Sequence, residues 1–62
     1  MPEKLLYDHD AAADLLSTTT RRIHELRRAG SLAAVQDGRS LKFTLQELER
    51  YVASLPAFEP KI

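Results

Sequence analysis

The spacing of apolar residues changes character at Gly30 and again at Thr44. Before Gly30 they recur at helical intervals. Between the two points they read as short extended runs, and after Thr44 the helical interval returns. A chain patterned this way fits two helices, a hairpin and a third helix. With 62 residues it can build one small domain with a thin core. It has no cysteine. No disulfide or thiolate metal site can then support it, and well-capped helices must do much of that work.

Asp8 is placed to cap a first helix over residues 9–16, with Asp10 in the first turn, where the helix dipole favours an anion. Ala12, Leu15 and Leu16 form its apolar stripe, and Tyr7 can pack on Ala12 as a weak staple. Ser17, Thr18 and Thr19 break the pattern, because their hydroxyls favour turns and caps. Thr19 caps a second helix over 20–29, with Ile23 and Leu26 buried and Gly30 just past its end. Two short helices joined by a tight turn make a helix-turn-helix. Leu32 to Gln36 and Arg39 to Phe43 read as strands joined at Asp37-Gly38, with Val35, Leu41 and Phe43 facing inward. Thr44 and Glu47 form a capping box for the third helix, and Phe43 and Leu48 its staple. Leu48, Tyr51, Val52 and Leu55 supply its buried stripe until Pro56 stops it. The fold class is mainly α with a small β-hairpin: a winged helix-turn-helix, α-turn-α-β-β-α, over residues 1–55. Residues 56–62 read as a flexible tail.

The formal net charge is zero, but its distribution is uneven. From Arg21 to Lys42 six cations (Arg21, Arg22, Arg27, Arg28, Arg39, Lys42) face only Glu25 and Asp37, a local +4. The remainder of the chain carries −4. A basic patch, more than net charge, marks a nucleic-acid partner. No run approaches the roughly 20 apolar residues of a membrane span, and the first ten residues hold no signal-peptide core. The sequence therefore reads as a cytoplasmic protein. So small a chain has little room for a deep substrate pocket and its supporting shell, which favours a binding module over an enzyme.

The most informative residues are Arg21 and Arg22, in the first turn of the second helix. Each cation there costs roughly 0.3–1 kcal/mol against the dipole. Their position makes sense if that end of the helix faces phosphates or base edges. With Ile23 and Leu26 inward, Thr20, Arg21, His24, Glu25 and Arg28 lie toward the outer or flanking surfaces, and Thr19 adjoins them as the cap. Arg21 and Glu25, four residues apart, can pair with each other, or read guanine and cytosine respectively. Arg22 and Arg28 suit phosphates. At the hairpin, Arg39 and Ser40 form the wing candidates, Arg39 suiting a narrow A·T-rich minor groove. No catalytic constellation stands out. His9 reads as an exposed first-turn residue, and His9 with His24 gives no recognisable metal spacing. No metal or cofactor is expected.

Together these residues resemble the excisionase-type winged helix-turn-helix domains, relatives of the MerR DNA-binding domain. The likeness covers about residues 5–53. It rests on Asp8 with Leu15-Leu16, on Arg27-Arg28-Ala29-Gly30, on Leu32 to Val35, on Gly38-Arg39, and on Leu48 with Tyr51. The chain departs from the family at Ser17-Thr18, where many members have Gly or Pro, and at Ala33, where Pro is common. Near Leu41 a large aromatic is usual. The resemblance implies a second helix in the major groove of double-stranded DNA and a wing in the adjacent minor groove. It also implies cooperative loading on repeated sites with neighbouring copies, DNA bending, and a phage tyrosine integrase steered toward excision in a bacterial host. Carried over, Arg21, Arg22, His24, Glu25 and Arg28 are the recognition-helix residues and Arg39 the wing residue.

Two other functions fit the same sequence. A small transcriptional repressor would use the same residues. A protein-interaction adaptor without DNA binding would use the apolar tail residues Phe58 and Ile62.

Overall fold

A computed structural model describes residues 4–60 of the chain. Ile62, one of the two tail residues singled out above, lies outside the described residues. The elements run β1 (Leu6–Tyr7), α1 (His9–Leu15), α2 (Thr20–Arg28), β2 (Val35–Asp37), β3 (Ser40–Thr44) and α3 (Leu45–Ala53). The architecture is a helix-turn-helix with a hairpin wing and a closing helix, as the apolar spacing predicts.

The three helices begin where their caps dictate. Asp8 accepts the Ala11 amide at 2.7 Å, Thr19 that of Arg22 at 3.1 Å, and Thr44 that of Glu47 at 3.0 Å. Each bond satisfies one of the amides that a helix start leaves without a partner. The ends of α1 and α2 share one geometry. Thr18 N–H bonds the Ala13 carbonyl and Ser17 N–H that of Asp14; Ser31 N–H bonds Leu26 and Gly30 N–H bonds Arg27. Both are Schellman closures, which need a residue with positive φ. At α2 that residue is Gly30 (φ 80°); at α1 it is Ser17 (φ 57°).

The sheet departs from the sequence reading in two ways. First, Leu6–Tyr7 adds a strand on the far side of β3, giving the antiparallel order β1-β3-β2. Two residues carry no readable period, so nothing in the sequence announced it. Second, Asp37 pairs with Ser40, so the two-residue turn is Gly38-Arg39 rather than Asp37-Gly38. Positive φ falls on Gly38 alone (64°), the pattern of a hairpin with glycine first in the turn. The first strand gains Asp37 from this shift but begins only at Val35, so Leu32 lies in the loop after α2, fully buried.

Tyr7, Ala12, Ala13, Ile23, Leu26, Leu32, Phe43 and Leu48 make the core, with Leu16, Leu45 and Tyr51 packed against it. Phe43, on the central strand, is completely buried. The inward face expected of Val35, Leu41 and Phe43 holds only for Phe43. Val35 pairs with Lys42 and so lies on the opposite face of the hairpin, while Leu41 shares the face of Phe43 but sits two residues nearer the turn. Both are exposed. The helix stripes also bury less than their spacing suggests. Leu15 on α1 is exposed, and so is Val52 within α3. Leu55, also exposed, lies beyond the helix, because α3 stops at Ala53 with Ser54 as its C-cap, short of Pro56.

Candidate nucleic-acid interface

The outer surface of α2 is basic because its inner positions are apolar. Ile23 and Leu26 are buried against the core, which leaves the neighbouring helical positions to solvent. The Arg21 side chain is 89% exposed and that of Arg22 54%. Arg28 is exposed near the C-terminal end of the same helix. Glu25 lies between the two first-turn arginines, 3.5 Å from Arg21 and 3.6 Å from Arg22. At such exposure each pair is worth a few tenths of a kcal/mol. Both pairs are weak enough to open when a stronger anion approaches. Arg21 and Glu25 therefore meet as one of the two sequence readings allowed.

Two residues read as lying on the outer or flanking surfaces make contacts within the fold. The Thr20 hydroxyl donates to Asp10 at 2.8 Å and ties α2 to α1. His24 is half-buried and stacks on His9, with ring centroids 4.1 Å apart and planes 11° from parallel. His9 in turn meets the edge of Phe43 at 5.1 Å. It is thus part of the packing between α1, α2 and β3, contrary to its reading as an exposed residue. Arg27 Nε donates to His9 Nε2 at 3.3 Å, which requires that nitrogen to be unprotonated. Burial, then the nearby His24 and Arg27, hold the His9 pKa below its ordinary value; Asp8 and Asp10 oppose this less strongly. Among the described residues His24 Nδ1 is buried without a hydrogen-bond partner. Thr19 is exposed, but its hydroxyl oxygen already serves as the α2 cap.

The turn shift matters most for the wing. Arg39 stands at the hairpin tip, and Ser40 is the first residue of β3; both are exposed. A residue at the tip of a two-stranded ribbon reaches farther than one at its base. Below the tip, Lys42 pairs with Asp37 at 3.4 Å, and the Gln36 amide donates to the Gly38 carbonyl at 3.1 Å. The two strands are thereby braced close to the turn.

A third group of polar residues escaped the sequence reading. The spacing of Thr44 and Glu47 predicts a capping box, yet the Glu47 carboxylate does not close one. It accepts the Ala33 amide at 2.9 Å and binds Arg50 through both oxygens, at 2.8 and 2.7 Å. Arg50 also donates to the Ser31 carbonyl at 2.9 Å. The Arg50 hydrogen bond, followed by the Ala33 amide, lowers the Glu47 pKa to about 2. The available signal was the Glu47-to-Arg50 spacing of three residues, which brings opposite charges together on one helix face.

Among the described residues no group of three or more potential ligands could hold a metal ion, and no helix is long and apolar enough to cross a membrane. No curated protein and no solved structure matches the chain. The model of a helix-turn-helix domain family matches residues 6–56, from β1 to the end of the closing helix and the proline beyond it. With a capped second helix bearing exposed arginines and an arginine-tipped wing, the chain belongs to this helix-turn-helix domain family and binds double-stranded DNA sequence-specifically.

Proposed function

We propose that this protein is an architectural DNA-binding factor of the excisionase kind. It places α2 in the major groove and the wing in the adjacent minor groove. It loads cooperatively beside an attachment site, bends the DNA and directs a tyrosine integrase toward excision. The observation that carries the two-groove reading is the pairing of Arg21 and Arg22 in the first turn of α2 with Arg39 at the hairpin tip. The narrower excisionase role rests on the resemblance of residues 5–53. In this reading Arg21 contacts guanine and Glu25 the amino group of cytosine, once their mutual pair opens. Arg22 and Arg28 neutralise phosphates. Arg39 enters a narrow minor groove, where the negative potential is greatest.

The test is footprinting on attachment-site DNA with and without a candidate integrase, combined with a bending assay and a count of excision against integration. Stepwise protection, bending and a rise in excision support the proposal. Occupancy of a single operator without bending indicates a repressor. Absence of salt-dependent DNA retention overturns both readings in favour of a protein-interaction adaptor, which would use the highly exposed Phe58.

A further inference from the structure

The wing is anchored unequally along its two strands. β3 is paired on both sides and fixed by the buried Phe43. All three residues of β2 are exposed, and among the described residues it pairs with β3 alone. The segment Ser31–Ala34 leads from α2 to β2. Leu32 is buried there, but the backbone on either side borders an open cleft of about 670 Å³, lined in part by Arg22, Ser31, Ala33, Glu47 and Arg50. Side-chain packing does not fill this cleft. Two charge-assisted hydrogen bonds cross to its backbone: Glu47 takes the Ala33 amide and Arg50 the Ser31 carbonyl.

We infer that the Glu47–Arg50 pair on α3 is a positioning clamp that sets the wing relative to the recognition helix by holding the backbone of Ser31 and Ala33. The inference rests on the two-groove DNA reading for its consequence, though not for its geometry. Exposed ion pairs add little to stability; Arg50 is about half exposed. The geometry of this pair is nevertheless bidentate, which fixes direction as well as distance. Both ligated groups belong to the connection between α2 and β2, so the clamp links the two DNA-facing elements through a third that carries neither.

Glu47→Gln and Arg50→Lys test the clamp. Each leaves the Thr44 cap intact, because that bond uses the Glu47 backbone amide. The first readout needs no DNA. The chain lacks cysteine, so Arg28→Cys with Arg39→Cys gives two unique spin-label positions. A narrow label distance that broadens in Glu47→Gln is the expected result. An unchanged distribution, in a variant with the parent circular-dichroism spectrum, overturns the clamp whatever the fate of the DNA reading. The second readout is a double-mutant cycle on DNA. Arg39→Ala should weaken binding roughly tenfold in the parent but less than about twofold in Glu47→Gln or Arg50→Lys, with loss of minor-groove protection at the wing. Additive losses with the wing footprint retained overturn the proposal and make Arg50 a simple phosphate contact. Salt titration of Arg22→Ala reports on the DNA reading separately.

Discussion

Helices α2 and α3 are built on one frame and charged in opposite senses. Each spans nine residues and follows a threonine whose hydroxyl accepts the amide of the third helical residue. That third residue is Arg22 in α2 and Glu47 in α3. α3 thus follows the helix dipole, with an acid in its first turn and Arg50 in its last. α2 follows it only at the C-terminal end, with Arg27 and Arg28, and opposes it at the start. Since the caps are alike, the difference isolates the charge. α3 commits its first-turn acid to hydrogen bonds with Ala33 and Arg50, whereas α2 keeps a stability-lowering charge where an anionic ligand would offset it.

The largest effect expected from breaking this contrast is on binding. Arg21→Glu with Arg22→Glu should lower DNA affinity about 100-fold at low salt, through lost base and phosphate contacts and new repulsion. Its stability should change by less than about 0.5 kcal/mol, because the dipole gain is offset by repulsion from Glu25. Gel-shift titration and thermal unfolding give the two numbers. A large loss of stability would mean that the arginines serve the fold.

Removing the shared caps should give matched losses. Thr19→Ala and Thr44→Ala are each expected to cost about 1 kcal/mol in urea unfolding. A loss at Thr44 several times that at Thr19 would show that the Glu47 network depends on the cap. A smaller change of opposite sign is expected at the end of α1. Ser17→Gly relieves a left-handed serine, and after the added chain entropy it should stabilise the protein by roughly 0.5 kcal/mol. Gly30 already occupies the equivalent site after α2.

Acidification should separate the histidine packing between α1 and α2 from the Glu47 network on α3, with the smallest effects. His9 and Glu47 are both held below their ordinary values, so the unfolded chain takes up protons more readily at each. Their stabilisation is therefore complete at high pH and declines on acidification. The His9 contribution fades as pH falls below 6.5, and that of Glu47 between 4.5 and about 2. Unfolding followed against pH should show the upper step vanish in His9→Phe and the lower one in Glu47→Gln.

Much of the frame was legible because it depends on neighbours in sequence. Asp8, Thr19, Thr44 and Gly30 act within a few residues of themselves, and each does what its residue type and spacing predict. What escaped depends on partners far along the chain. β1 exists only because β3 lies beside it. The hairpin register, one residue from the Asp-Gly expectation, is set by pairing along the whole wing. His9 and His24 meet across two helices, and Glu47 binds the Ala33 amide instead of closing its own helix start. At the candidate site the exposure of Arg21, Arg22 and Arg28 followed from helical periodicity. The inward turn of His24 and the link from Thr20 to Asp10 required the α1–α2 packing.

Phe43 pairs with Tyr7 across the sheet, and it is buried with Ala12, Ile23 and Leu48. This geometry fixes an order of events during synthesis. The helix-turn-helix segment leaves the ribosome before the residues that cover its apolar side, and helices of seven and nine residues are marginal in water by themselves. Nascent chains stalled with residues up to Gly30 exposed should remain open to protease, and protection should arrive abruptly once Leu48 has emerged. The α1–α2 unit is then completed by residues that follow it in the chain, and a fragment ending at Gly30 has no stable α2 to offer.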